Sequence, residues 1–209
     1  MAPMMNATLG ISRGPQFFGG CFLVAMPDMA DERFRRAVVY LCSHSREGAM
    51  GIVINHPALE FRFVDLLKQL NLTPHRDTIR LPAAFESIHV FRGGPVETSR
   101  GFVLHSPDYY AERMTTPINS RVSLTSTVDI LRAIATGEGP QDILFALGYA
   151  GWAAGQLEQE IRNNGWLICK ADIDVLFHTA AHARYDQALR LSGIEPRNIA
   201  AFSHVAGHA

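Results

Sequence analysis

Ala37-Val-Val-Tyr-Leu-Cys42 and Ala49-Met-Gly-Ile-Val-Ile-Asn55 decide the fold class of this chain. Both stretches are apolar and rich in β-branched residues, which is typical of buried strands. Residues 43–48 between them are polar and carry turn residues. Residues 37–55 are therefore predicted to form a β-hairpin, which Pro57 closes.

The rest of the chain adds strands and helices around this hairpin. Apolar runs predict strands at residues 22–26, 88–91, 101–106, 118–124, 143–147 and 166–169. Helical stripes of apolar residues predict helices near residues 63–70, 128–135, 153–161 and 179–191. Regular βα alternation is absent from the N-terminal half, which favours an α+β fold over a doubly wound α/β fold. Short linkers predict one domain over residues 17–209, preceded by a flexible N-terminal arm at residues 1–16.

Composition and charge exclude several classes of protein. Of 209 residues, 47% are hydrophobic and 19% are charged, and 19 basic against 20 acidic residues leave a formal charge of −1. This balance does not suggest a general nucleic-acid binder, which usually carries a basic excess. No apolar run reaches the ~20 residues of a membrane helix, and no signal peptide is recognisable. We therefore expect a cytoplasmic protein without membrane association.

The residues that commonly bind metals do not form a recognisable motif. Cys21, Cys42 and Cys169 are odd in number and widely spaced, so buried structural thiols are expected, although a redox role stays open. His178 and His182 lie four residues apart, but no H-E-x-x-H pattern surrounds them. We expect no metal site and no cofactor.

The candidate binding residues are those that shape the backbone at turns. Arg92-Gly-Gly-Pro-Val96 follows a strand, and Gly148-Tyr-Ala-Gly-Trp152 is predicted to turn the chain from a strand into a helix. Such turns can present N–H groups to an anion or simply reverse the chain. Asn55 and His56 stand either at the mouth of a pocket or in a structural turn. The candidate ligand- or partner-binding residues are Asn55, Gly93, Gly94, Pro95, Gly148, Gly151 and Trp152.

These motifs, in this order, resemble the bacterial YqgE/AlgH family. The resemblance runs from about residue 17 to residue 209 and rests on Met26-Pro-Asp28, Phe34-Arg-Arg-Ala-Val-Val-Tyr40, Glu47-Gly-Ala-Met-Gly51, Gly93-Gly-Pro-Val96, Arg100-Gly-Phe-Val-Leu-His105 and Leu147-Gly-Tyr-Ala-Gly-Trp152. It implies a single α+β domain with a branched, partly barrel-like β-sheet surrounded by helices, in a cytoplasmic bacterial protein. It implies no catalytic residues, and some members carry the label of transcriptional regulator.

Three hypotheses of function follow. The first is a non-enzymatic binding or regulatory module that meets an unknown protein or small-molecule partner through the glycine turns. The alternative is an unrecognised enzyme with Asn55, His44 and Glu160 around a cleft. Direct DNA binding is disfavoured, because no helix-turn-helix pair with basic residues is visible. The oligomeric state stays open.

Overall fold

The computed structural model of the chain describes residues 17–72 and 88–199. Within these residues lies a ten-stranded, mostly antiparallel sheet. Its strands are β1 (Cys21–Ala25), β2 (Val38–Ser45), β3 (Gly48–Val53), β4 (Pro57–Arg62), β5 (His89–Arg92), β6 (Val96–His105), β7 (Thr115–Pro117), β8 (Ser123–Thr125), β9 (Ile143–Ala153) and β10 (Trp166–Lys170). The helices are α1 (Phe63–Gln69), α2 (Val128–Thr136), α3 (Gln156–Arg162) and α4 (Ala181–Leu191), with 3-10 turns at Glu32–Phe34 and Pro196–Asn198 and a π-turn at Asp174–His178. The predicted arm at residues 1–16 lies outside the described residues.

The sheet branches at β9. Its main path runs in the order β10-β1-β2-β3-β9-β6-β8-β7. Strand β3 pairs with residues 150–153 of β9, and β5 pairs in parallel with residues 145–147. Strand β6 pairs with β9 from the other edge, and β4 extends the branch by pairing with β5. The α+β class and the branched, curled sheet that the family resemblance implies are thus confirmed.

Both faces of the central strands are buried. Phe22 of β1 and Tyr40 of β2 belong to an apolar cluster that also contains residues of α4. Leu23 and Leu41, their neighbours in sequence, point to the opposite face and pack in a cluster with Trp152. Strands that are covered on both sides read as continuous apolar runs, and for that reason the hairpin is visible in the sequence.

The chain crosses over β9 on its way from β5 to β6. Gly93 N donates to Leu147 O at 2.7 Å, and Gly93 O accepts from Val53 N at 2.8 Å, so Gly93 still lies at the β5 edge. Three residues later, Val96 pairs with Tyr149 at the opposite edge. Residues 93–95 therefore pass across one face of β9.

This crossing requires two backbones to touch. A Cβ on Gly148 would lie 2.6 Å from Gly94 O and 2.8 Å from Val96 O, closer than real Cβ atoms come to other atoms. Gly148 also has a φ of +73°, in the left-handed region that favours glycine. Glycine is needed in both segments, at the crossing and in β9, because no side chain fits between the two backbones.

Two local predictions from the sequence are wrong, and one strand was not predicted. Residues 148–152 do not turn into a helix, because they lie inside β9 and α3 begins only at Gln156. The strand predicted at residues 118–124 is replaced by the short strands β7 and β8. Strand β4 was missed because Pro57 reads as a stop, yet proline is tolerated as the first residue of an edge strand.

Candidate functional site

A cleft of about 440 Å³ lies beside the crossing. We call it the Arg92 cleft. Strands β4, β5 and β6 and the connection between β5 and β6 supply most of its walls. Its lining combines an apolar wall with four ionisable side chains and consists of Arg33, Val53, His56, Ala58, Glu60, Phe61, Arg92, Gly94, Pro95, Thr98 and Leu147.

Two of the predicted binding residues, Gly94 and Pro95, line this cleft. They reach it because the crossing lifts residues 93–95 over β9. Gly94 has a φ of +152° and lies directly against the backbone of Tyr149. The predicted glycines at 93, 94 and 148 therefore do meet, but their contact is backbone on backbone. The Arg92 cleft begins beside these glycines.

The two arginines of the cleft form exposed ion pairs. Arg92 Nη2 lies 2.6 Å from Glu60 Oε1, with 61% and 45% of the two side chains exposed. Arg33 Nη2 lies 2.6 Å from Asp31 Oδ2, with 66% and 34% exposed. Exposed pairs of this kind contribute about 0–1 kcal/mol. Arg33 also donates from Nε to Asp31 Oδ1 at 2.9 Å, so its pair is bidentate. The single contact of Arg92 with Glu60 can therefore be exchanged for a ligand anion at little cost in free energy.

His56 adds a neutral polar group to the cleft. Its Nε2–H donates to Arg35 O at 3.1 Å, which leaves Nδ1 as the acceptor of the neutral ring. Burial lowers the pKa of His56, and the charge of Arg92 lowers it further. The backbone also ties the two residues together, since Arg92 N donates to His56 O at 2.8 Å. His56 thus holds Arg92 in place without competing for anions.

Asn55 has a structural position next to the cleft. Its Oδ1 accepts from Val38 N at 2.7 Å, and its Nδ2 donates to Arg36 O at 2.8 Å. These bonds hold the exit of β3 against the start of β2. Of the predicted pair at a pocket mouth, His56 lines the cleft, and Asn55 fixes the backbone that carries it.

Gly151 and Trp152 lie farther along β9, away from the Arg92 cleft. Gly151 pairs with Met50 of β3. Both residues border a separate, wide depression on the surface. Trp152 is only 6% exposed, and its ring stacks on Phe34 with the ring centroids 6.3 Å apart. The structure therefore places Trp152 in the core.

The carboxylate of Glu160 accepts hydrogen bonds from two indole N–H groups. Its Oε2 accepts from Trp152 Nε1 at 2.8 Å and from Trp166 Nε1 at 2.7 Å, and its Oε1 accepts from Gln156 Nε2 at 2.9 Å. Each of the two rings is buried. The carboxylate therefore satisfies polar groups of the core.

His44 is likewise engaged in the structure. Its Nδ1 accepts from Phe18 N at 3.2 Å, so the proton of the neutral ring sits on Nε2, which lies 3.1 Å from Glu158 Oε1. The ring of Phe18 stacks on His44 with the centroids 5.4 Å apart. His44, Asn55 and Glu160 thus have separate partners, and the described residues do not assemble them around one cleft.

Sequence reasoning missed the charged residues of the cleft. Arg92 stands immediately before Gly93-Gly94-Pro95, and that position is the available signal. Arg33 and Glu60 lie in other segments and meet it only through the fold. The part of the chain that the structure describes contains no group of three or more His, Cys, Asp or Glu residues that could hold a metal ion. Within the same ranges, no helix is long and apolar enough to cross a membrane.

The fold and the cleft define a class of α+β proteins. In this chain a curled sheet branches at one long strand, and the chain crosses that strand beside a small amphipathic cleft. The chain belongs to the AlgH-like family, whose model matches residues 22–197.

Relatives and solved structures agree with this assignment. A UPF0301 protein of Methylobacterium nodulans is 57% identical over 193 residues, covering 92% of this chain and 90% of the relative. A UPF0301 protein of Azorhizobium caulinodans is 53% identical over 207 residues, covering 99% and 100%. The solution structure of the AlgH protein from Pseudomonas aeruginosa superposes with a TM-score of 0.71 at 38% identity, covering 95% of this chain and 98% of that one. A Corynebacterium diphtheriae protein, with a TM-score of 0.63, 20% identity and coverage of 86% and 89%, shares the fold.

Proposed function

We propose that this protein is a non-enzymatic binding or regulatory module that holds an anionic ligand with an apolar body in the Arg92 cleft. The observation that carries the proposal is the lining of the cleft. An apolar wall stands beside Arg92, whose single exposed contact with Glu60 is weak, and beside a second arginine, Arg33. We further propose, from the family resemblance, that it works in the bacterial cytoplasm.

The apolar wall supplies the binding area. Val53, Ala58, Phe61 and Leu147 face the cleft, and Phe61 remains 43% exposed. A ligand that covers this ring removes apolar surface from water, which favours binding by about 25 cal/mol per Å². Ligand pockets typically combine such apolar walls with a few polar groups that fix orientation.

The charged rim supplies the orientation. A carboxylate or phosphate group that displaces Glu60 from Arg92 gains charge-assisted hydrogen bonds from a guanidinium whose main chain is fixed by the bond from Arg92 N to His56 O. Arg33 lines the same cleft and adds a second cation. The ligand is therefore expected to carry its negative charge at one end.

Titration with 1-anilinonaphthalene-8-sulfonate, an apolar ring system with one anionic group, tests the proposal. The measurement is dye fluorescence with the folded wild type, Arg92→Gln and Arg132→Gln. Arg132 is a matched control, because it is 60% exposed and paired with Asp129 at 2.7 Å, while Arg92 is 61% exposed.

We expect Arg92→Gln to weaken dye binding about tenfold, the loss of one charge-assisted contact, and Arg132→Gln to leave it unchanged. Equal dissociation constants for all three proteins would contradict the proposal.

A further inference from the structure

A second cavity, of about 500 Å³, lies away from the Arg92 cleft and goes beyond the function proposed above. It is enclosed by β5, the segment between α2 and β9, the π-turn and α4. We call it the Arg184 cavity. It is lined by Ile88, His89, Phe91, Ile134, Gly137, Gly139, Pro140, Gln141, Asp142, Ile143, Phe177, His178 and Arg184.

Arg184 is the buried cation of this cavity. The residue is 5% exposed. Its Nε donates to Thr179 O at 2.9 Å, and its Nη1 donates to Ile54 O. The guanidinium carbon lies 4.9 Å from the centroid of the Phe91 ring. In residues 17–72 and 88–199 no carboxylate forms an ion pair with it.

The guanidinium keeps donors to spare. Arginine has five N–H groups, and the two bonds to backbone carbonyls use two of them. No described residue accepts from Nη2. Nη2 of Arg184 is not a fully buried atom without a partner. Among the described residues, the side-chain polar atom of that kind is Thr127 Oγ1. Arg184 lines the cavity, so a ligand there can use the donors that no described residue accepts from.

The charge of Arg184 persists although it is buried. Burial lowers the pKa of Arg184 to about 10, so the guanidinium remains protonated at neutral pH. A buried charge without a carboxylate in direct contact is unfavourable, because its hydration is lost and only partly replaced. An anion in the cavity would offset that cost and use the remaining N–H donors.

We propose that the Arg184 cavity binds a small organic carboxylate. A carboxylate matches the fork of a guanidinium and the single positive charge of Arg184. Asp142, whose Oδ1 lies 3.5 Å from His178 Nε2, brings a negative charge to the same cavity and disfavours the double charge of a phosphate. Phe91, Ile143 and Phe177 line the remainder of the cavity and accept the hydrocarbon part of the ligand.

A comparison of benzoate with its neutral analogue benzamide distinguishes the contribution of the carboxylate charge to binding from that of the aromatic ring. Each compound is titrated into the ¹⁵N-labelled protein, and shifts of the amides and of the Arg184 Nε–H signal are followed. Benzoate is expected to give saturable shifts around the cavity, and benzamide is expected to bind about tenfold more weakly or not at all. Equal responses to the two compounds, or none to benzoate, would overturn the proposal.

Two variants and a third compound complete the test. Arg184→Met is expected to abolish the benzoate response, while Arg190→Met, an exposed position on the same helix, keeps it. Since Arg184→Met also loses two backbone contacts, Gln141→Trp provides a variant that adds a bulky side chain at an exposed lining position and leaves Arg184 intact. Benzoate binding that survives Gln141→Trp contradicts the site. Tighter binding of inorganic phosphate than of benzoate contradicts the ligand class.

Discussion

Gly93 leaves no room for a side chain beside Gly148, because a Cβ built on Gly93 would overlap the Gly148 carbonyl oxygen. Gly93 is not among the glycines with positive φ, so this contact alone excludes a larger residue. The pair marks the point where the chain crosses β9 and begins to line the Arg92 cleft. The shape of the cleft therefore depends on two glycines that lie far apart in the sequence.

The first prediction separates steric from conformational demands on glycine. Gly93→Ala is expected to lower the free energy of unfolding by about 3 kcal/mol or more, since β9 cannot move away without breaking its pairing. Gly155→Ala is the matched control, because Gly155 has a φ of +76° but nothing within 4 Å of its Cβ position. Its expected loss is about 1 kcal/mol. Urea denaturation measures both, and a smaller loss for Gly93→Ala than for Gly155→Ala would contradict the crossing.

The contact between Gly93 and Gly148 also explains why the sequence wrongly predicts a turn at residues 148–152. Gly148 and Gly151 are locally indistinguishable from turn glycines, and the turn predicted there is wrong. Gly148 is needed inside a strand because a segment more than fifty residues away passes over it. The hairpin at residues 37–55 could be predicted because its apolar, β-branched pattern is local.

The second prediction concerns the carboxylate that joins two tryptophans. Glu160→Ala leaves the indole N–H groups of Trp152 and Trp166 without an acceptor. Each unsatisfied buried donor costs about 1–3 kcal/mol, so a total loss of about 2–6 kcal/mol in unfolding free energy is expected. Dye binding in the Arg92 cleft is expected to persist in the folded variant. A variant as stable as wild type would show that the two bonds contribute nothing.

The third prediction is a loss of stability in mild acid. His105 is fully buried, with Nδ1 donating to Ser106 O at 2.8 Å and Nε2 accepting from Thr125 Oγ1 at 2.9 Å. Burial lowers the pKa of His105, so the folded state binds fewer protons than the unfolded state. Its contribution is fully present above about pH 6.5 and is lost as the pH falls through the lower folded-state pKa.

Denaturation midpoints from neutral to mildly acidic pH test this sign. His105→Gln is expected to be less stable at neutral pH but to show a flatter pH dependence than wild type. Some dependence remains, since the pKa of His56 is lowered by burial as well. His182→Gln, at an exposed position of α4, is expected to keep the wild-type slope. An unchanged slope in His105→Gln would rule out this histidine as the titrating group.

The fourth prediction concerns the thiols. Cys42 and Cys169 are 8% and 7% exposed, and burial raises the pKa of both. Iodoacetamide is expected to alkylate them at least about tenfold more slowly in the native protein than in urea, because the thiolate is the reactive form. Cys21, which is partly exposed, is expected to react first. Mass spectrometry of the labelled peptides gives the order, and rapid native labelling of Cys42 would contradict it.

The candidate site was only partly accessible to sequence reasoning. Gly94 and Pro95 were identified because glycine and proline have a strong local meaning at the end of a strand. Arg33 and Arg92 carry no local mark that distinguishes them from other surface arginines. Arg184 looks like a solvated helix residue in the sequence, and only the packing of α4 against the sheet buries it.

The most direct test of the proposed binding function uses the cell's own small molecules. Wild type, Arg92→Gln and Arg132→Gln are each incubated with the same bacterial metabolite extract, freed of unbound compounds and examined by native mass spectrometry. An anionic adduct retained by wild type and Arg132→Gln but absent from Arg92→Gln is the predicted result. No adduct on wild type, or the same adduct on Arg92→Gln that persists when Gln141→Trp also fills the Arg184 cavity, would contradict the assignment of the Arg92 cleft as the ligand site.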